Sequence, residues 1–219
     1  MQKANFSSTH INILIADDHA VVRQGLKQLL ADTHGMVVRG EASNDQEVLE
    51  KVRTGDWNVV ILDISMPGRG GLDVLKEIKR ERPGLPVLVF SMYAEDQYAE
   101  RVLRAGGSGY VTKDCTMDEL IRAIRKVCAG GKYVSPQLAE KLAFDLEGDS
   151  DKSPLESLSD REYDVMRRIA SGKTVKEIAN DLSLSVKTIS TYRGRLLRKL
   201  KLRNNAEVMH YAIQNRLVD

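Results

Sequence analysis

The sequence predicts an α/β domain, a (βα)5 doubly wound parallel sheet of about 125 residues, followed by a small all-α domain of four helices. Two patterns predict this. Short apolar runs alternate with helically spaced stretches up to about residue 130, and beyond residue 155 the spacing is helical throughout. Charge divides the chain at the same place. The net charge of the 219 residues is only +2, yet residues 1–154 hold 20 Lys+Arg against 23 Asp+Glu and residues 155–219 hold 13 against 8. A near-neutral average therefore conceals an acidic body and a basic tail, and the tail carries the excess expected of a nucleic-acid binder.

Five apolar runs read as strands: 11–16 (INILIA), 36–42 (MVVRGEA), 58–63 (NVVILD), 86–91 (PVLVFS) and 108–112 (SGYVT), each bounded by Gly, Pro, Asp or Asn. Between them the apolar residues recur on one helical face: Val22, Leu26, Leu29 and Leu30; Val48, Leu49 and Val52; Leu72, Leu75 and Ile78; Val102 with Leu103; Leu120, Ile121, Ile124 and Val127. Near-continuous apolar strands joined through helices imply a parallel sheet covered on both faces, because right-handed crossovers put the helices there.

A helix over 136–146 and the acidic, Pro-punctuated stretch EGDSDKSP follow. The expected division is 10–130, a linker over 131–154, and a second domain over 155–219. In that domain Ser159 and Glu162 fit a capping box. The first helix should stop at Gly172, Thr174 should cap a helix over 175–182, Ser185 one over 186–201, and Asn205 a last one ending near 215.

Other classes fall away. No apolar stretch reaches the roughly 18 to 20 residues needed to cross a bilayer, and MQKANFSSTH lacks the apolar core of a signal peptide, so a cytoplasmic protein is expected. Cys115 and Cys128 are too few for a disulfide framework and match no zinc spacing.

In open parallel sheets, ligands bind at the carboxyl ends of strands where the strand order reverses. Asp17 and Asp18 end the first strand, Asp63 the third and Ser91 the fourth, while Lys113 follows the fifth. Three carboxylates converging on one edge repel unless a cation sits among them, and an oxygen-only set suits Mg²⁺ better than zinc. A lone Asp at a strand end is usually a turn former or a cap. It is the conjunction of five positions that points to phosphoryl chemistry. His19, with no other histidine nearby in sequence, reads as a helix-start residue, and the glycines of PGRGGLD read as a turn rather than a phosphate loop.

From ADDH through LDISMPGRGGLD, VFS and YVTK the chain resembles the receiver domain of two-component response regulators. The resemblance implies that Asp63 accepts a phosphoryl group from the phosphohistidine of a sensor histidine kinase. It further implies that Asp18, Asp63 and the Ser65 main-chain carbonyl hold Mg²⁺ with help from Asp17, that Lys113 pairs with the phosphoryl oxygens, that Ser91 hydrogen-bonds one of them, and that Tyr110 turns inward when Ser91 moves. A carboxylate attacking phosphorus needs little beyond in-line positioning and charge neutralisation, which agrees with these roles. Haloacid-dehalogenase-like phosphatases also use an aspartyl nucleophile, but with a second carboxylate two residues on; here that residue is Ser65. An efficient phosphatase is thereby disfavoured, and only slow autodephosphorylation is expected.

Between Val186 and Asn204 stand seven basic residues and no acidic one. A solvated face normally mixes signs. A positive helix after a short helix and the turn Leu182-Ser183-Leu184-Ser185 is instead the layout of a helix-turn-helix, whose second helix enters the major groove. The stretch from LSDREYD to RLLRKLKL resembles the LuxR-type helix-turn-helix of the NarL/FixJ subfamily. That resemblance makes the helix from 186 the recognition helix. Lys187, Thr188 and Thr191 are the candidates for base edges, and Lys176, Tyr192, Arg193, Arg195 and Lys199 those for phosphates. By the same resemblance the last helix, with Val208, Met209, Tyr211, Ala212 and Ile213, forms a dimer surface on a DNA operator. Val208 and Ala212 fit plain core equally well. Lys201 departs from the family's Lys-Leu-Gly helix stop. The competing reading is a protein-interaction adaptor whose tail no longer binds DNA.

Overall fold

The computed structural model describes residues 10–66, 68–147, 154–215 and 217. The first nine residues, which hold most of the signal-peptide test, and 148–153 of the expected linker lie outside the described residues. In order the elements are β1 (Ile11–Ala16), α1 (Ala20–Ala31), β2 (Met36–Ala42), α2 (Asp45–Thr54), β3 (Val59–Leu62), α3 (Gly71–Glu81), β4 (Val87–Ser91), α4 (Glu95–Arg104), β5 (Gly109–Thr112), α5 (Met117–Cys128) and α6 (Pro136–Glu147). After a short 3₁₀ turn at Pro154–Ser157 come α7 (Asp160–Ala170), α8 (Val175–Asp181), α9 (Val186–Lys199) and α10 (Asn205–Gln214).

The five strands are parallel in the order β2-β1-β3-β4-β5. The chain moves outward from β1 to β2 and then returns to the other side of β1. This makes the β1/β3 boundary the switch point at which the carboxyl ends open a crevice. Ile13, Ile15, Val59, Ile61, Leu88, Phe90 and Val111 turn one sheet face onto Leu26 and Leu30 of α1 and Leu120, Ile124 and Val127 of α5. Their buried neighbours Leu14, Val60, Leu62 and Val89 alternate to the opposite face.

After α5 the chain runs back along the sheet edge. Tyr133 N–H donates to the Ser108 carbonyl (2.9 Å) and Tyr110 N–H to the Tyr133 carbonyl (3.1 Å), in a single parallel bridge to β5. Ser135 then starts α6, accepting from Leu138 N–H at 3.1 Å, while its own N–H donates to Glu95 Oε1 at 2.9 Å. These bonds attach 132–135 to the α/β unit. Backbone packing divides the chain at Ala139/Glu140, within α6, where the sequence suggested a separate linker from 131.

In the helical unit, α7 packs on α9 and α10, and α8 packs on α9. Its core holds Leu158, Met166, Ile169, Ile178, Ile189, Leu196 and Val208. Capping boxes open α7 (Ser159 with Glu162) and α8 (Thr174 with Glu177). The cap of α10 is Asn204 rather than Asn205: its side chain accepts from Glu207 N–H, so the first of the two asparagines takes the extended conformation a cap needs.

The Lys201 departure has a clear outcome. α9 still ends in a left-handed stop, with Lys201 at φ +56°, its N–H donating to Arg198 and Leu202 N–H reaching the Leu197 carbonyl at 2.8 Å. A side chain thus occupies a conformation that suits glycine. Lys201→Gly is expected to stabilise the helical unit by about 1 kcal/mol, read as a raised midpoint in urea unfolding.

Candidate functional site

Four of the five positions singled out in the sequence converge at the β1/β3 switch point. Asp17 and Asp63, one residue beyond β1 and β3, are 2% and 1% exposed. Burying two carboxylates is costly unless a cation lies against them. Lys113, 7% exposed and one residue past β5, puts Nζ 2.6 Å from Asp17 Oδ2 and 2.7 Å from Asp63 Oδ2. Burial pulls the Lys113 ammonium down, but the hydrogen bonds and charges of the two carboxylates outweigh it and hold its pKa above the usual lysine value. The ammonium is therefore charged at neutral pH and available to an incoming anion. Ser65 N–H donates to Asp63 Oδ1 at 2.8 Å, which fixes the carboxylate plane.

The site also fits a divalent cation. Asp17, Asp18, His19 and Asp63 offer ligand atoms that all lie within 4.8 Å of one another. Asp18 Oδ1 is buried with only the His19 ring nitrogen, 3.0 Å away, beside it, and Asp17 Oδ2 faces the Lys113 ammonium at 2.6 Å. Three clustered carboxylates against one lysine leave an excess of negative charge that a bound ion would offset.

The fifth position, Ser91, is fully buried at the end of β4, with Oγ 3.4 Å from Ser65 Oγ and 3.4 Å from Tyr93 N. Tyr110 is 1% exposed and its hydroxyl donates to the Tyr93 carbonyl at 2.7 Å. The ring is turned inward here, held by that carbonyl.

In the helical unit, α8 and α9 meet through the turn 182–185, closed by Leu184 N–H on the Ala179 carbonyl, with Ser183 at φ +53°. The face of α9 away from the buried Ile189 and Leu196 presents Lys187, Ser190, Thr191 and Arg195 to solvent, and Lys176 is exposed on α8. Thr188 and Tyr192 are half-buried. The Thr188 hydroxyl is 2.8 Å from the Ser185 cap, and the Thr191 hydroxyl donates back to the Lys187 carbonyl.

Two residues expected at phosphates also make contacts within the unit. Arg193 Nε donates to Asn205 Oδ1. Lys199 Nζ donates to the Ser157 carbonyl (2.8 Å) and to Glu162 Oε2 (2.6 Å). Burial pushes Glu162 up, but Lys199 and the Ser159 cap together hold its carboxyl below the ordinary range. On α10 the expected dimer stripe divides: Val208 and Ala212 are core, while Met209 and Ile213 remain exposed.

Two family models match the chain: the response regulator receiver domain over residues 13–125 and the bacterial regulatory proteins of the luxR family over residues 156–212. Response regulator GacA of Pseudomonas aeruginosa is 38% identical over 210 residues, covering 95% of this chain and 98% of that protein. Response regulator UvrY of Escherichia coli is 36% identical over 208 residues, covering 94% and 95%. The chain belongs to the LuxR family of response regulators.

Solved structures of another response regulator share its fold. RcsB of Salmonella typhimurium superposes with a TM-score of 0.71 at 29% identity, over 93% of this chain and 96% of that one. RcsB bound to promoter rprA in the presence of phosphomimetic BeF₃⁻ gives 0.68 at 30% identity, over 92% and 98%. As a response regulator of the LuxR family, the chain is a transcription regulator with a receiver and a DNA-binding domain. Among the described residues no helix is long and apolar enough to cross a membrane.

Three contacts in this LuxR-family receiver were not read from the sequence, although His19 itself, read there as a helix-start residue, is the N-cap of α1. The His19 ring stands beside Asp17 and Asp18. Arg23 Nη1 donates to the Asp17 carbonyl at 2.6 Å, bracing the loop. Glu95 ties the start of α4 to the start of α6. For the first two the signal was available: His19 adjoins the aspartates, and Arg23 lies one turn further along the helix. No local pattern announces the Glu95 contact, which spans 40 residues.

Proposed function

We propose that the protein is a phosphorylation-controlled transcriptional regulator of the cytoplasm, in which Asp63 accepts a phosphoryl group from a sensor histidine kinase. The observation that carries this is the buried Asp17–Lys113–Asp63 triad at the sheet's switch point. An Asp63 carboxylate oxygen attacks the phosphorus of the phosphohistidine, the P–N bond breaks as the P–O bond forms, and the imidazole leaves with a proton. Lys113 stays charged and turns its ammonium to the phosphoryl oxygens; the Ser91 hydroxyl donates to one of them. Asp18, Asp63 and the Ser65 carbonyl would hold Mg²⁺, aided by Asp17. That ion would neutralise charge on the phosphoryl oxygens.

The transferred group adds about −1.5 to −2 charges at a buried edge. Ser91, the Tyr93 backbone and the Tyr110 hydroxyl form one hydrogen-bonded set beside it, and Glu95, two residues past Tyr93 in the chain, separately accepts from Ser135 N–H at the start of α6. A shift of Ser91 would move the chain at Tyr93, and through the two residues to Glu95 it would bear on the helix that leaves the receiver. In the tail, Lys187, Thr188 and Thr191 would face base edges of an operator, and Lys176, Tyr192 and Arg195 the phosphates. Arg193 and Lys199 brace the unit in this reading, through Asn205 and Glu162. Met209 and Ile213, both exposed on α10, would meet a second copy on DNA, which is consistent with solved RcsB dimers on DNA.

Incubation with acetyl phosphate and Mg²⁺ should add one phosphoryl group per chain, read as a single 80-Da mass increment; roughly that mass corresponds to one phosphoryl addition. Removing divalent cations with EDTA should abolish the increment. Uptake unaffected by EDTA would overturn the cation's role.

A further inference from the structure

The receiver's cation site includes a nitrogen donor. We propose that His19 Nδ1 is itself a ligand, so that the site takes a first-row transition-metal dication such as Co²⁺ or Ni²⁺ through His19, as well as the hard ion. The proposal rests on the reading of Asp18 and Asp63 as cation ligands.

His19 occupies the N-cap position of α1, where a side chain would ordinarily accept from the first turn. Its ring makes no such bond. It turns instead to the carboxylates, with Nδ1 at 3.0 Å from Asp18 Oδ1 and 3.2 Å from Asp17 Oδ1. In an octahedral ion with ligands at about 2.1 Å, adjacent donor atoms are about 3.0 Å apart, and opposite ones about 4.2 Å. The His19–Asp separations match the first distance, and the atoms of the four-residue group, all within 4.8 Å of one another, would draw in by about half an ångström to reach the second.

The carboxylate oxygens are set for such an ion. The His19 N–H donates to Asp17 Oδ1 at 2.8 Å and orients that carboxylate, while the 98%-buried Asp17 turns Oδ2 to Lys113 Nζ at 2.6 Å and Asp18 Oδ1 has only the His19 ring beside it. The ring's outer edge is open, with 64% of the side chain exposed, so its nitrogen can approach or leave an ion without disturbing the core.

The chemistry sets the class of cation. Mg²⁺ takes oxygen ligands and gains little from an imidazole, whereas affinity for mixed nitrogen and oxygen sites rises along the first row through Co²⁺ and Ni²⁺. His19 should therefore separate the two kinds of ion. A different role predicts the opposite sign: an imidazolium that merely stands in for a cation between Asp17 and Asp18 would compete with every metal.

The test uses the full chain and titrates Mg²⁺ and Co²⁺ separately by calorimetry, with wild type, His19→Ala and Asp18→Asn. His19→Ala should weaken Co²⁺ binding by at least about tenfold and leave Mg²⁺ within about twofold. Pulsed EPR of Mn²⁺-loaded protein should show nitrogen coupling that disappears in His19→Ala. Unchanged Co²⁺ affinity, an equal loss for both ions, or tighter binding of both overturns the proposal. Asp18→Asn should weaken both ions; if it weakens neither, the reading of the carboxylates as the cation site fails, independently of His19.

Discussion

Replacing Asp63 with alanine is expected to reduce phosphoryl uptake from acetyl phosphate by at least about a thousandfold, to below detection. No other group can take its place. Asp17 is paired to the same lysine, at 2.6 Å, but ends β1 rather than β3, and the Ser65 and Ser91 hydroxyls have no neighbouring base among the contacts described. The fold should survive the change. Lys113 would lose one carboxylate yet keep Asp17, so no buried ammonium is left unpaired; that condition separates a modest loss from the roughly 3 to 5 kcal/mol of a broken buried pair. Near-wild-type circular dichroism together with absent phosphorylation is the expected pair of results. Uptake that persists in Asp63→Ala would sink the assignment of the nucleophile.

The second large effect concerns sequence preference on DNA. Lys187 and Thr191 project from the exposed face of α9, four residues apart and one turn above one another, at the end that enters the groove in helix-turn-helix proteins. Changing both to alanine should lower the ratio of operator to random-DNA affinity by about tenfold to a hundredfold, the worth of one or two base contacts. Lys176→Ala or Arg195→Ala should instead weaken all sequences alike and reduce the salt slope by about 0.9 for each phosphate lost. The two patterns are separable in one competition experiment. A uniform loss in the Lys187/Thr191 variant would move both residues to the backbone.

Much of this architecture was legible because its signals are local. The apolar runs at β1 to β5, the capping boxes at Ser159 and Thr174 and the one-sign charge of α9 each need only a short window of sequence. Strand ends moved by a residue where pairing stops: Asn58 and Pro86 precede β3 and β4, and Pro86 has no N–H to give the ladder. The carboxylate site was legible because the strand-end rule converts sequence positions into one location.

What escaped depends on long-range packing. Composition could not show that Lys199 is drawn to Glu162, 37 residues away, rather than left to a phosphate. Nor could it show that Tyr110 already holds the Tyr93 carbonyl, or that Tyr133 and Ser135 bind the residues after α5 back to β5 and α4. The division of α10 into a core pair and an exposed pair follows from its rotation on α7, which periodicity leaves free for a short helix with apolar residues on more than one side.

Control of DNA binding by phosphorylation of the receiver can be read in one titration. A duplex selected from a random pool by the phosphorylated chain is titrated with wild-type protein across a range of salt, with and without acetyl phosphate. Phosphorylation should tighten binding by about 5- to 150-fold, the range of ordinary allosteric coupling, and affinity should fall steeply with salt at about −0.9 log units per phosphate contacted. Equal affinity in the two states would make DNA binding constitutive. Absence of any preference for the selected duplex over random DNA would contradict the account and favour an adaptor whose tail does not read DNA.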